Sequence, residues 1–341
     1  MNPLHKLITG RTVYRTGSEW LYFAGTSYLG IQHHPVFLRH FQQGLEIFGG
    51  HYGGSRHANI SLTIFEEAEK FLAKWTGLPA ALLVSSGTLA GRLVVNSLES
   101  RYPSFSAPHT HVALSSRFCK PIQRWPDDLF TEIQKSIDST LVIYLNSVDP
   151  LAANISSFAW IQDLPPGKKY VVVVDDSHGL GLLGQEGQGI ASELPPAHAV
   201  EYLVISSLAK AMGVPGGVIL GKVNRLAELY QHPLFVGSSP PSPAYLYALL
   251  QSESLYKRQR QKLAENMGYL LPPLKTKDYR VNLPLPIIVL PSPEYFQNLQ
   301  QDQILLSSFA YPNPQDPVIT RVVVNAMHTY EDLDRLLEGL N

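Results

Sequence analysis

The chain has 341 residues, 45% of them hydrophobic, and a formal net charge of -1. A chain of this size can bury one large core and a second, smaller one, and a near-neutral balance without a long basic run gives no electrostatic ground for nucleic-acid binding. Cys119 is the only cysteine, so no intrachain disulfide can form and a reducing compartment is the default. Residues 1–11 lack the apolar centre of a signal peptide, and no apolar run approaches the roughly 20 residues of a membrane span. A cytoplasmic protein without a membrane span is therefore the expectation.

Strand and helix signals alternate along most of the chain. Residues 80–84 read as a strand and 87–98 as the helix after it, and 112–114, 141–145, 171–174, 203–205 and 217–220 read as further short strands. Strands separated by helical stretches predict an α/β fold with a mostly parallel sheet covered on both faces. Beyond Gly237 the run Ser238-Ser239-Pro240-Pro241-Ser242-Pro243 punctuates the chain. A long helix is expected from about 244 to 266, with strands at 283–290 and 318–324 belonging to a separate small domain. Residues 329–340 read as a helix with Thr329 at its N-cap and Asp332 three positions on. The expected division is an N-terminal segment (1–45), a large domain (46–255) and a small α+β C-terminal domain (256–341).

The chemistry is concentrated in Tyr170-Val171-Val172-Val173-Val174-Asp175-Asp176-Ser177-His178-Gly179 and Ser206-Ser207-Leu208-Ala209-Lys210. A β-branched run ends in an acid, a histidine follows three positions later, and a second apolar strand leads to two serines and a lysine. Pyridoxal phosphate needs a lysine to hold its aldehyde as a Schiff base and a carboxylate to keep its pyridine nitrogen protonated. Lys210 and Asp175 are of those types, at strand ends where α/β sheets place ligands. Ser85-Ser86-Gly87-Thr88 lies between strand and helix, where free N–H groups and the helix dipole favour a phosphate. Taken singly, the serine is a helix cap, Asp175 a turn residue and His178 a core histidine; the set carries the reading. Gly179-Leu180-Gly181-Leu182-Leu183-Gly184 also fits the dinucleotide-binding pattern Gly-x-Gly-x-x-Gly. Glycines rather than an apolar helix follow it, and Asp175, Asp176 and His178 stand between strand and glycines, so that reading is set aside.

These residues resemble the α-oxoamine synthases, a family of fold type I pyridoxal phosphate enzymes. The resemblance runs from Tyr28-Leu29-Gly30 and His33-His34-Pro35 through Gly53-Gly54-Ser55-Arg56-His57, Ser86-Gly87, Asp175-Asp176-Ser177-His178-Gly179, Gly184-x-x-Gly187-x-Gly189 and Lys210 to Arg321 and Asp332-Leu333-Asp334-Arg335-Leu336-Leu337. It implies a seven-stranded, mostly parallel sheet between helices, a smaller C-terminal domain, a homodimer, and condensation of an amino acid with an acyl-CoA, usually with decarboxylation. It further implies that Lys210 binds the cofactor and moves the α-proton, that Asp175 pairs with the pyridine nitrogen, and that His178 bonds the ring hydroxyl. Ser207, Ser86, Gly87 and Thr88 would take the phosphate, with Ser239 of the neighbouring subunit. His111 would stack on the ring and Arg321 would grip the substrate carboxylate. The sequence departs from the family where Thr26 and Ser27 replace the usual Asn that helps hold that carboxylate. Asn146, in the cofactor pocket, replaces the usual Glu, and the segment after His111 is short. The same cofactor residues would serve an aminotransferase, and a non-catalytic pyridoxal phosphate-binding protein is the reading from another class.

Overall fold

A computed structural model describes residues 6, 7, 10–15, 17–274, 278–311 and 313–341. Its centre is a seven-stranded sheet in the order Ala80–Val84, Gly217–Gly221, Val200–Ser207, Lys169–Asp175, Thr140–Asn146, Ser104–Ser106, Cys119–Pro121. Gly217–Gly221 runs antiparallel to both neighbours, and every other pairing in the sheet is parallel.

The valine run shows why both faces are covered. Successive side chains on a strand point to opposite faces, and Val172 and Val174 join one apolar cluster while Val171 and Val173 join another. The first cluster takes Phe65 and Leu72 of Thr63–Thr76, Leu246 of Pro243–Gln251, and Leu263 of Glu253–Leu270. The second takes Ala90, Leu93 and Val94 of Gly87–Leu98. None of the four valines is more than 3% exposed, as in a parallel strand packed on both sides. The register sets Asp175 opposite Asn146 on one neighbour and Ile205 on the other, so three strands end at one edge.

A second seven-stranded sheet has the order Lys6–Leu7, Thr12–Arg15, Ser18–Phe23, Ile304–Ala310, Val318–Val323, Ile287–Val289, Arg280–Val281. Ser18–Phe23 lies parallel to Ile304–Ala310, so the start of the chain is paired with a segment near its end. The Ala326 N–H donates to the Tyr28 carbonyl at 2.9 Å, and Arg11 bonds Asp332 at 2.5 Å. Among the described residues no helix is long and apolar enough to cross a membrane.

Three local expectations are corrected. Val112–Leu114 is a short 3-10 turn, not a strand: His111 caps it, its Nδ1 accepting the Ala113 N–H at 3.2 Å. The strands of that region are Ser104–Ser106 and Cys119–Pro121, each too short to carry a period-2 signal. The helix expected over 244–266 is two helices, Pro243–Gln251 and Glu253–Leu270, separated at the buried Ser252, whose hydroxyl lies 3.0 Å from Nδ1 of His40. Of residues 283–290 only Ile287–Val289 form a strand, because Pro284 and Pro286 have no N–H to give a ladder. The C-terminal helix Tyr330–Leu340 keeps its expected capping box: Thr329 Oγ1 accepts the Asp332 N–H at 3.3 Å, and the Asp332 carboxylate accepts the Thr329 N–H at 2.9 Å. Thr329→Ala is expected to lower the unfolding free energy by about 1 kcal/mol, read as a lower urea midpoint at unchanged slope. An unmoved midpoint would mean that the cap contributes nothing.

Candidate active site

After Val200–Ser207 the chain turns back into Gly217–Gly221, and Lys210 sits in that turn. Leu208 N–H donates to Gly216 at 3.0 Å, Val214 N–H to Leu208 at 2.9 Å, and Gly213 N–H to Lys210 at 3.1 Å. Gly213 has φ +68°, and a Cβ there would lie 2.9 Å from Cβ of Ile31, so both conformation and space call for glycine. Lys210 Nζ lies 2.8 Å from Nε2 of His178. The other ring nitrogen of His178, Nδ1, lies 2.7 Å from the hydroxyl of Tyr28, which is 1% exposed. Asp175, at the strand end, accepts the Ser177 N–H on Oδ1 at 3.0 Å and holds Oδ2 3.7 Å from Nδ1 of His111.

A second carboxylate, Asp176, is buried behind the first. Its Oδ1 accepts from Ser147 Oγ at 2.5 Å and its Oδ2 from the Ile190 N–H at 2.9 Å. Ser147 also donates its N–H to the Asp175 carbonyl at 2.9 Å, so the two acids are held as one unit. Burial pushes the Asp176 carboxyl up to about 7, against the pull of those two hydrogen bonds. Gly179, the first glycine of the dinucleotide-like pattern, and Gly189 beyond it pack against this acid. Residues 179–184 form turns, the short 3-10 segment Gly189–Glu193 follows, and a Cβ on Gly179 or Gly189 would collide with the Asp176 carboxylate.

Burial controls the ionisable groups here. It lowers Lys210 to about 8, with the Arg321 charge adding to the effect and Asp175 and Asp176 opposing it. It lowers His178 well below the ordinary imidazole range, with Lys210, Arg321 and His111 pushing the same way, so the imidazole is neutral. It raises the Tyr28 phenol far above its ordinary range. Arg321 is 6% exposed, donates from Nη1 to the Pro150 carbonyl at 2.7 Å, and lies 5.6 Å from the Phe309 ring centre. Its buried Nε has no hydrogen-bond partner, a donor in want of an acceptor.

Beside this cluster the helix Gly87–Leu98 begins. Ser86 caps it by accepting the Leu89 N–H at 3.1 Å, and the N–H groups of Gly87 and Thr88 belong to the first turn, which has no intrahelical acceptor. Ser207 closes over them: a Cβ on Gly87 would lie 2.6 Å from Cβ of Ser207. Ser207 is fixed by its N–H on Ser177 Oγ at 2.8 Å, and its hydroxyl accepts the Ala209 N–H at 3.4 Å.

The structure thus gathers Lys210, His178, Asp175, His111 and Arg321, with Ser86, Gly87, Thr88 and Ser207 alongside. Both polar atoms of Asn146 are taken up by the backbone, Oδ1 accepting the His111 N–H at 3.0 Å and Nδ2 donating to His109 at 2.8 Å. Thr26 and Ser27 are half-buried at the entry to the tyrosine turn, and the Ser27 carbonyl accepts the Gly30 N–H at 2.6 Å. Ser239 lines a cavity of about 10 Å³ with Arg56, Val84 and Leu89 of its own chain. Sequence reasoning assigned no role to Tyr28, Asp176, Ser147 or Ser177. Tyr28 stood in a recognised run, Tyr28-Leu29-Gly30, and the acid doublet was visible, but only the fold reveals what each touches.

A lowered pKa makes the lysine amine neutral at lower pH than usual. In the cofactor-free protein, acetylation of Lys210 by a small amine-reactive reagent is expected to rise with pH through a midpoint of about 8, while exposed lysines titrate near their ordinary value of about 10.4. A Lys210 midpoint equal to theirs would refute the burial argument.

Among known proteins, the family model described as aminotransferase class I and II matches residues 27–340. The 8-amino-7-oxononanoate synthase of Pseudomonas putida (strain GB-1) is 26% identical over 360 residues, covering 99% of this chain and 92% of that protein. The same-named protein of Klebsiella pneumoniae (strain 342) is 28% identical over 358 residues, covering 97% and 91%. Of solved structures, serine palmitoyltransferase of Sphingomonas wittichii superposes with a TM-score of 0.85 at 17% identity, covering 99% of this chain and 90% of that one. The 8-amino-7-oxononanoate synthase of Francisella tularensis gives 0.73 at 20% identity, covering 94% and 96%. At those identities the two structures speak to the fold.

Proposed function

The chain belongs to the aminotransferase class I and II family, and on that premise we propose that it is a pyridoxal phosphate-dependent α-oxoamine synthase. In this reading it joins an amino acid to an acyl-CoA thioester with release of coenzyme A, and works as a homodimer in the cytoplasm. One observation carries it: Lys210 Nζ, 2.8 Å from Nε2 of His178, lies by the sheet edge that ends in Asp175 and within the electrostatic reach of Arg321, an arginine of the second sheet whose Nε lacks an acceptor. The donor set suits the cofactor. It offers an amine for the aldehyde, a carboxylate for the pyridine nitrogen, and first-turn N–H groups with the Ser207 hydroxyl for the phosphate.

When bound, pyridoxal phosphate supplies an electron sink for negative charge at the amino acid's α-carbon. Lys210 would hold the aldehyde and would serve as the base for the α-proton; a base must be neutral, and its lowered pKa of about 8 favours that near physiological pH. Asp175 keeps a proton on the pyridine nitrogen, and Ser147 with Ser177 fix the acid's backbone and one of its oxygens. His178 orients the ring hydroxyl, with Tyr28 bracing its far nitrogen. His111 covers the ring, its turn clamped by Asn146. Arg321 offers its free Nε to the substrate carboxylate, a planar group that matches the guanidinium fork. Ser239 of the partner subunit completes the phosphate site. The names of the curated relatives support acyl transfer over transamination.

Incubated with pyridoxal phosphate, the wild-type protein is expected to gain a visible absorbance band that Lys210→Ala lacks; an equal band in the variant would remove Lys210 from its assigned place. Mixing holoprotein, an amino acid from a panel and an acyl-CoA should release free thiol. Exchange of amino groups with a keto acid and no thiol release would favour an aminotransferase instead. Arg321→Ala is expected to raise KM for the amino acid about 10- to 100-fold, the range of a lost charged hydrogen bond, with a smaller change in kcat. An unchanged KM would place the carboxylate elsewhere.

A further inference from the structure

We propose that Tyr256 and Gln259, on the buried face of the helix Glu253–Leu270, are positioning residues that hold the lysine turn and the tyrosine turn at the spacing His178 bridges. The inference rests on the reading of Lys210 as the working amine and adds the residues that place it.

The two side chains are three positions apart and so lie on one helix face. Tyr256 is fully buried, and its hydroxyl donates to the Met212 carbonyl at 2.7 Å, two residues past Lys210. Gln259 is 7% exposed, and its Nε2 donates to the Leu29 carbonyl at 2.9 Å, one residue past Tyr28. One rigid helix therefore grips the backbone on both sides of the bridge. The bridge itself tolerates little drift: Lys210 Nζ and the Tyr28 hydroxyl lie 2.8 and 2.7 Å from the two nitrogens of a single ring, whose width is fixed. An N–H hydrogen bond stretched past about 3.2 Å is substantially weakened. The two turns also abut directly, since a Cβ on Gly213 would lie 2.9 Å from Cβ of Ile31.

Tyr256 and Gln259 reach Lys210 by position alone. The charged groups that face Lys210 are Asp175, Asp176 and Arg321, with His178 in contact, and none belongs to this helix. The Tyr256 phenol is kept neutral by its burial.

The test measures the pH midpoint of Lys210 acetylation in the cofactor-free protein, by mass spectrometry of the lysine-bearing peptide, for Tyr256→Phe, Gln259→Met and Tyr269→Phe. Tyr269 is exposed on the same helix and bonds Asp334 at 2.8 Å, away from the site. Tyr256→Phe and Gln259→Met are expected to loosen the turns, admit water and move the Lys210 midpoint upward by about half a pH unit or more. Tyr269→Phe is expected to leave it in place. Urea unfolding of each variant separates stability from position: a lower unfolding midpoint with an unmoved Lys210 midpoint in Tyr256→Phe would overturn the proposal and leave both residues as packing. Should Gln259→Met fail to fold, Tyr256→Phe, which deletes one oxygen, decides alone. A wild-type protein that never binds pyridoxal phosphate would refute the cofactor reading instead, and the acetylation midpoints would still decide this one.

Discussion

Parallel pairing with Asp175 opposite Asn146 on one side and Ile205 on the other is the constraint from which the site follows. A slip of one residue along Lys169–Asp175 would turn every valine to the wrong face and move the acid off the edge. Because Val171, Val172, Val173 and Val174 feed two separate apolar clusters, such a slip would disrupt both at once. The hydrophobic core thus sets the position of a carboxylate. From that fixed point the loops take their places: Asn146 clamps the turn bearing His111, Ser177 reaches back to Asp175 and onward to Ser207, and Ser207 closes over Gly87.

The electrostatics of the cluster depend on the same enclosure. Two cationic groups, Lys210 and Arg321, share a poorly hydrated space with Asp175 and the more deeply buried Asp176, and burial is the largest influence on both cations. Exposed on a surface, such charges would be screened and their neighbours would matter little. Here the lysine is brought toward neutrality while the arginine, whose ordinary pKa lies above 12, keeps its charge. One group is then suited to accept a proton and the other to hold an anion, and the difference arises from intrinsic basicity as much as from geometry.

Much of this was legible in the sequence. The valine run, the acid at its end, the lysine after the next strand and the serine-glycine turn are all short-range signals, and they fall on the sheet edge together. The capping box at Thr329 was equally local. What escaped was of two kinds. Very short elements, such as Ser104–Ser106 and the 3-10 turn Val112–Leu114, carry too few residues for a period to register. Contacts between distant segments left no pattern: nothing in Tyr28 announces His178, 150 positions away, and nothing in Gln259 announces Leu29. The dinucleotide-like glycines show the converse error that local patterns invite, since each answers a different close approach: Gly179 to the Asp176 carboxylate, Gly181 to Ala211 and Met212, and Gly184 to Gln188 and Ser192.

The pairing of Ser18–Phe23 with Ile304–Ala310, together with the Ala326 N–H on the Tyr28 carbonyl, bears on how the protein is made. Translation is vectorial, and domains generally fold as their residues emerge. Tyr28 leaves the ribosome long before Ala326, whose N–H anchors its carbonyl. The valine-rich sheet can close while synthesis continues, whereas the backbone that anchors the tyrosine turn must wait for Ile304–Ala310 and Ala326. A polypeptide that stopped short of Ala326 would lack the backbone anchor of one flank of the candidate site.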